Sequence, residues 1–380
     1  MREMGDAVEA GTRLDRAWRP QPDWVMLGIV LAVAAVGLVV QYGLRPHNDL
    51  EWHMLLGHYV VGTICLFFGY FLDYTIFGRH CKLLYTLWCV VGLLMTFGPL
   101  QRIQGGANIS LRRWVWFFPV LFAGVLYSQR GKGTSGIRNC LLYMLGLWFF
   151  AMFAPSTPAL CVLTTVCCGM LFAAVWRGVF GKRTKGKMVL SVLPLLVILA
   201  FGVWLIFNIP HLWDRVAVLF HPQIDAIRNG YQGSVIQNIM FGIPAPEIEP
   251  IDFSWNSGIC DWILTTAKLK FGWAGFFTLL GLEVLFLVWG FRIARRQTGL
   301  LARSVCMGVM LTFTLQTAMY VLQNFGFILL AAYGLPLLSY GANYLLQTMF
   351  LLGVLLSAQR TGRLESGLAP RVSRVSEVGK

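Results

Sequence analysis

Apolar runs of membrane length, separated by short basic loops, recur through almost the whole chain and leave few choices of fold. A spanning helix needs roughly 20 predominantly apolar residues, because the hydrocarbon core is about 30 Å thick and each helical residue rises about 1.5 Å. On that measure the chain has about ten spans. They are Trp24–Leu44, Trp52–Leu72, Leu83–Pro99, Trp114–Ser128, Ile137–Phe153, Ala159–Val179, Met188–Phe207, Gly272–Ile293, Ser304–Leu330 and Leu338–Ala358. The fourth is the shortest. Only 13% of the residues are charged and the mean hydropathy is +0.65. A soluble domain of 380 residues could not cover that much apolar surface, so the fold expected is all-α and polytopic, with lipid as its solvent.

The net charge of +14 suggests nucleic acid until its distribution is read. Arg13, Arg16 and Arg19 precede the first span, Arg79 and Lys82 follow the second, and Arg130, Lys132 and Arg138 follow the fourth. Arg177, Lys182, Arg183, Lys185 and Lys187 follow the sixth, and Arg292, Arg295, Arg296 and Arg303 follow the eighth. Basic residues in alternate loops are the positive-inside pattern, with both termini cytoplasmic and no nucleic-acid partner. Arg102, Arg112 and Arg113 break the rule on the outer side. Met1–Asp23 is too polar for a signal peptide, and the first apolar run is long enough to stay in the membrane. Most of the nine cysteines fall in or beside spans without metal-ligand or disulfide spacing, so apolar filler is the simplest account of them.

The expected organisation is a cytoplasmic segment at 1–23, a membrane domain at 24–358 and a loosely ordered cytoplasmic tail at 359–380. The long outer loop at 208–260 carries Asp214, Asp225, Glu247, Glu249 and Asp252, together with five prolines and an apolar set that favours partial immersion in the interface. Asp261–Lys270 is too short to span and reads as a half-helix capped by Asp261, entering the membrane ahead of the eighth full span. Glu283 lies inside that span, where an acid is a functional candidate by default and a polar contact between helices is the simpler reading. Asp73 ends the second span within reach of Arg79.

Several short motifs, in order, resemble the SEDS family of polytopic membrane proteins (RodA, FtsW and SpoVE). Asp214-Arg215-Val216, Phe220-His221-Pro222 and Gly230-Tyr231-Gln232 resemble its R-[IV]-x-x-F-x-x-P…G-Y-Q run. Gly258-Ile259-Cys260-Asp261-Trp262-Ile263 with Phe271-Gly272-Trp273-Ala274-Gly275 resembles T-D-F-I-F-A…E-L-G-F-x-G. Asn324-Phe325-Gly326 and Gly334-Leu335-Pro336-Leu337-Leu338-Ser339-Tyr340-Gly341 resemble N-I-G…G-x-P-L-P-x-x-S-Y-G-G, and Arg113-Trp114 resembles the end of G-A-x-R-W. Departures accompany these matches. The Glu and Lys that follow R-W in the family are absent from Phe118–Gly124, and Pro155–Ala159 lacks the acid of P-D-L-G-T. The acid of E-L-G gives way to a run holding Lys268 and Lys270, and the second proline of P-L-P is lost.

The resemblance implies a peptidoglycan glycosyltransferase that polymerises lipid II at the outer face of the bacterial cytoplasmic membrane, in elongation, division or shape control, beside a class B penicillin-binding protein. Such chemistry needs a base for the acceptor hydroxyl, and partial desolvation at a membrane boundary makes a carboxylate a better one. Asp261 takes that role by its motif position, with helix capping as the plainer alternative. Arg113 and Arg215, with Arg112, suit a departing pyrophosphate because guanidinium pairs with phosphate oxygens through two bonds; headgroup snorkelling is the alternative. Trp114, Tyr231, Gln232, Ser339 and Tyr340 complete the implied substrate site, each equally able to order its own loop. No cofactor is evident; Glu247, Glu249 and Asp252 would suit a divalent cation, while a solvated loop face explains them more simply. Two rival functions remain at this point: a non-catalytic SEDS scaffold, favoured by the departures, and a flippase for a lipid-linked precursor, which the absence of an internal repeat disfavours.

Overall fold

A computed structural model describes residues 23–43, 49–97, 114–153, 157–208, 213–214, 216–218, 221, 231–243, 262–327, 334–339 and 342–375. They form a helical bundle. In chain order the helices are α1 (Trp24–Gly43), α2 (Asp49–Phe71), the short α3 (Thr75–Arg79), α4 (Cys81–Phe97), α5 (Phe118–Ser128) and α6 (Gly133–Phe153). After them come α7 (Thr157–Trp176), α8 (Lys185–Asn208), α9 (Tyr231–Phe241), α10 (Ile263–Arg296), α11 (Leu300–Asn324) and α12 (Ala342–Val375). Helix α11 occupies the centre, packed against α10, α5, α12 and α7. Helix α8 lies at the rim on α7 and turns Leu193, Leu196, Leu199, Phe201 and Trp204 outward. An exposed apolar face of this size would aggregate in water and is ordinary against acyl chains. The chain is a multi-pass membrane protein.

Lipid is as apolar as leucine, so helices associate in it through close packing rather than through exclusion of water. The tightest seam is α2 on α12, where the backbones touch. A Cβ on Gly69 would lie 2.5 Å from the Phe350 carbonyl oxygen, and one on Gly353 would lie 2.2 Å from the Leu66 carbonyl oxygen. Below this crossing the Ser357 hydroxyl donates to the Leu72 carbonyl. Gly124 does the same work between α5 and α3, its missing Cβ leaving room for the Phe77 carbonyl. Hydroxyls within the spans return to their own helices: Thr63, Thr96, Thr165 and Thr312 each donate to the carbonyl four residues back at 2.7–2.8 Å, which removes the cost of a bare hydroxyl in hydrocarbon.

Contacts between distant segments gather the basic loops at one end of the bundle. There Asp23 caps α1 through the Met26 amide (3.0 Å) and accepts from Gln359 (2.8 Å) and the Trp289 indole (3.4 Å). Arg360 lies 4.6 Å over the Tyr70 ring, and the Gly131 amide donates to the Val179 carbonyl at 2.9 Å.

Several elements differ from the sequence expectation. The fourth span is a single 3-10 turn (Val115–Phe117) followed by 11 residues of α-helix, about 16 Å long at 1.5 Å per residue. It is roughly half a bilayer in length, and its α-helical residues from Phe118 to Leu126 are all buried by neighbouring helices, which is where short, irregular backbone is tolerated at membrane depth. Asp73 is engaged by the Thr75 amide (3.0 Å) and hydroxyl (2.7 Å) instead of by Arg79, because a local turn costs less entropy than ordering a long arginine. Helix α11 stops at Asn324, and α12 continues beyond the apolar stretch to Val375 where a loose tail was expected. Among the described residues the cysteines are unpaired, with Cys81, Cys140, Cys167, Cys168 and Cys306 buried as packing.

Because the Gly69–Gly353 crossing has no room for a side chain, Gly353→Leu is expected to lose well-folded protein or to lower stability by about 1–3 kcal/mol through overpacking. Gly281→Leu, where nothing lies within 4 Å, is the matched control. Thermal unfolding and monodispersity in detergent distinguish the two.

Candidate functional site

At the end of the bundle away from the basic loops, α9, α10, α11 and the turn at 334–339 converge. Helix α10 begins at Ile263, with Trp262 in the N-cap position and no side-chain cap. The first amides of a helix lack intrahelical acceptors, and here α11 supplies them. The Tyr320 hydroxyl accepts from the Ile263 amide at 2.9 Å, and Asn324 Oδ1 accepts from the Thr265 amide at 3.0 Å and the Thr265 hydroxyl at 2.9 Å. Asn324 is itself oriented by donating to the Tyr320 carbonyl at 3.0 Å. Tyr320, Asn324, Ile263 and Thr265 are all fully buried. The Ile263 and Thr265 amides are therefore capped by side chains of another helix.

Gly272 divides α10. Its φ of 68° and ψ of −166° fall in a region that only glycine occupies comfortably, so Ile263–Phe271 forms a short helix and the membrane-length part follows. Lys268 on the short part donates to the Ile239 carbonyl near the end of α9 and lies 5.4 Å from the Trp273 ring. Helix α9 buries Val235, Ile236 and Met240. It meets the end of α11 at Gly326, whose φ is 89° and whose absent Cβ would sit 2.8 Å from Gln237 and 3.2 Å from the Gly233 carbonyl. The Asn-Phe-Gly motif is thus a helix terminus: Asn324 clamps α10, Gly326 turns the chain in a left-handed C-terminal cap, and Phe325 stacks on Phe241 at 5.9 Å and meets Phe276 at a tilt, 5.6 Å away.

The 334–339 turn is non-helical, buried and satisfied from α1 and α2. Gln41 donates to the Leu338 carbonyl and Tyr59 donates to the Leu337 carbonyl at 3.0 Å. Leu337 holds a φ of 63°, a left-handed geometry that costs a branched side chain about 1–3 kcal/mol and that these two bonds help to hold. Ser339 closes the turn, its hydroxyl accepting from the Leu335 amide at 2.5 Å. The Leu338 amide donates to the Pro336 carbonyl at 2.8 Å, a bond that a proline at 338 could not make.

Of the residues the sequence nominates, Trp114, Tyr231 and Ser339 are described in full. Trp114 exchanges bonds with Trp88: each indole donates to the other's carbonyl, at 3.1 and 3.3 Å. That locks the start of α5 to α4. Tyr231 is half-buried at the start of α9 and takes the Ser234 hydroxyl on its carbonyl at 2.9 Å. Asp261, Arg112, Arg113, Arg215, Tyr340, Asp225, Glu247, Glu249 and Asp252, and the side chain of Gln232, lie outside the described residues. Tyr320, Thr265 and Lys268 have site roles that the sequence reading missed. The tyrosine and asparagine at i and i+4 on one helix face are the only local signal; their partners lie 57 and 59 residues away. Glu283 is buried at mid-helix and accepts from Thr317 on α11 at 3.0 Å, which makes it a tie between the two helices that frame the site.

The profile of the FtsW/RodA/SpoVE family, described as cell cycle protein, matches residues 256–364, a stretch that contains the clamp, the Gly272 break and the buried turn. Over that stretch the chain is similar to the SEDS family. It is 23% identical to stage V sporulation protein E of Bacillus subtilis across 91% of this chain and 99% of that protein. It is 25% identical to a probable peptidoglycan glycosyltransferase FtsW of Trichlorobacter lovleyi across 88% and 92%. The fold matches a chain of a peptidoglycan synthase complex that coordinates polymerization and crosslinking, with a TM-score of 0.70, 18% identity and coverage of 89% and 98%. It also matches Thermus thermophilus RodA, with a TM-score of 0.57, 17% identity and coverage of 90% and 97%.

Removing the Asn324 carboxamide leaves the Thr265 amide and hydroxyl without it in a dry site. Asn324→Leu is expected to destabilise the protein by about 2–3 kcal/mol. Backbone hydrogen exchange over residues 262–271 should rise, while exchange in α7 should not change.

Proposed function

We propose that this protein is a peptidoglycan glycosyltransferase that polymerises lipid II on the outer face of the bacterial cytoplasmic membrane, with Asp261 as the base. The observation that carries the reading is the clamp on α10. The Ile263 and Thr265 amides, of the kind that an aspartate before a helix would ordinarily cap, are taken by Tyr320 and Asn324, so the helix start has these two caps from α11. In this reading the principal role of Asp261 is the chemical one that the family motif implies.

The step transfers a glycan from a lipid carrier. The acceptor sugar hydroxyl attacks the anomeric carbon of the donor, the bond to the pyrophosphate oxygen breaks, and the proton of the hydroxyl passes to the Asp261 carboxylate. The polyprenyl pyrophosphate leaves with the bonding electron pair. Arg113 and Arg215 are proposed to pair with the departing pyrophosphate, and Tyr231, Gln232 and Tyr340 to border the sugars. Trp114 and Ser339 are positioning residues in this reading, since the Trp88 exchange and the Leu335 turn already occupy their polar atoms. Support for the activity comes from the family match over residues 256–364 and from the relatives named as probable glycosyltransferases. A class B penicillin-binding protein is the proposed partner, by analogy with the synthase complex that shares the fold. We assign the basic end of the bundle to the cytoplasm by its charge, and in this reading the clamp and Asp261 face outward.

Purified protein with lipid II, alone and with a transferase-dead partner, tests the proposal. Wild type is expected to form glycan polymer and Asp261→Asn to lose about 100-fold or more of that rate, the scale of a positioned general base. Polymer from both would leave Asp261 without a chemical role, and no polymer from a folded, partner-bound wild type would make the chain a scaffold.

A further inference from the structure

Several cations at the basic end of the bundle are already engaged. Arg130 lies over Tyr127 at 4.1 Å, Arg292 over Trp289 at 5.1 Å and Arg360 over Tyr70 at 4.6 Å. Lys132 donates to Gln129 at 3.2 Å, and Lys187 donates to the carbonyls of Phe180 and Lys182 at 3.0 and 3.1 Å. Arg177 at the end of α7 and Arg303 at the start of α11 are placed differently. Both line one groove between these helices, whose remaining walls include Met170, Ala173, Met307 and Leu311 and no carboxylate. Arg303 is half-buried there, and its Nε is buried without an acceptor.

Two guanidinium groups facing a low-dielectric groove repel each other, and a buried N–H without an acceptor is costly. Both costs disappear when an anion with several acceptor oxygens lies between them, and a phosphate suits two arginines better than a carboxylate does. The depth of the groove and its floor say where such a phosphate would come from. Trp176, half exposed beside Arg177 and stacked under Arg183 at 3.3 Å, is an interfacial residue. Met170 is seven residues and Leu311 eight residues further into the bundle than the arginines, about 10–12 Å along helices rising 1.5 Å per residue. A hollow lined by Phe172, Ala173 and Trp176 adjoins Arg177. Cations at headgroup depth over a narrow groove whose apolar walls continue toward the membrane centre are the complement of a phospholipid, whose phosphate is joined to acyl chains.

We propose that the α7–α11 groove is a binding site for an anionic glycerophospholipid of the leaflet at the basic end, its phosphate between Arg177 and Arg303 and an acyl chain along Met170, Met307 and Leu311. Because α11 also carries Tyr320 and Asn324, the lipid would brace the outer clamp from the opposite end of the same helix.

The test is native mass spectrometry of delipidated, detergent-purified full chain titrated with phosphatidylglycerol or with zwitterionic phosphatidylcholine. Wild type is expected to retain phosphatidylglycerol preferentially. Arg177→Gln and Arg303→Gln should each reduce that preference about fivefold, the effect of about 1 kcal/mol per cation at a lipid surface. Arg183→Gln, an equal loss of charge outside the groove, should change it little. Arg177 is exposed, so its variant keeps the test open if Arg303→Gln fails to fold. Equal loss from all three variants, or no preference in wild type, would reduce the groove to diffuse basic charge. Displacement of the lipid by millimolar inorganic phosphate would assign the site to a soluble anion and overturn the lipid.

Discussion

A helix that ends inside a membrane exposes amides and carbonyls that lipid cannot solvate, and the architecture of this protein follows from how those groups are satisfied. Two interruptions lie at the end away from the basic loops, and both are resolved by side chains from other helices. The start of α10 is held by Tyr320 and Asn324 of α11, and the buried turn at 334–339 by Gln41 of α1 and Tyr59 of α2. Each bond replaces a solvent interaction that the bilayer withholds. Without them the segment entering α10 and the chain entering α12 could not be fixed in one geometry. The candidate site therefore inherits its rigidity from polar pairs buried beside it.

Those pairs require their helices to be in register, which returns the problem to packing. Between α2 and α12 register is set by the Gly69–Gly353 contact, since sliding either helix would drive a side chain into the opposing backbone. Tyr59 on α2 reaches Leu337 just ahead of α12, so the glycine crossing and the buried turn are positioned by the same helix pair. Glu283 and Thr317 perform a related function within α10 and α11, joining at mid-depth the two helices that the clamp joins at the end. A carboxylate is costly at that depth. One that faces a threonine on the central helix resists rotation of α10, where an apolar contact would permit it.

Span positions were legible in the sequence because hydropathy reports the solvent directly, and a helix of membrane length needs no knowledge of its neighbours. The break at Gly272 was legible to within a few residues from the short, one-sided segment before it. What escaped was whatever depends on a partner far away in sequence. That Tyr320 and Asn324 cap the start of α10 could not be read locally, because they lie 57 and 59 residues from the amides they accept. Asp73 looked like the partner of Arg79 by charge, yet the hydroxyl and amide of Thr75 are nearer and cost less to order. Phe118–Ser128 looked like a weak span because composition cannot separate a lipid-facing helix from one enclosed by other helices. The residues expected to do the chemistry, Asp261, Arg113 and Arg215, lie outside the described residues, so the structure speaks to the frame that holds them.

That frame also gives a role to one of the two lysines before the Gly272 break. Lys270 stands where the family motif has its acid, and Lys268 lies two residues before it on the same short helix. A lysine placed there against another helix start would be repelled by its dipole. Lys268 instead meets the Ile239 carbonyl, in the last turn of α9, where backbone carbonyls lack intrahelical donors and the helix dipole is negative. The ammonium thus satisfies a carbonyl at the end of α9 while its stem crosses to α10, tying the loop helix to the half-helix that follows Asp261. An acid at position 268 would face the same carbonyl with like charge. Replacing Lys268 by an acid without changing α9 would therefore weaken the tie between α9 and the half-helix.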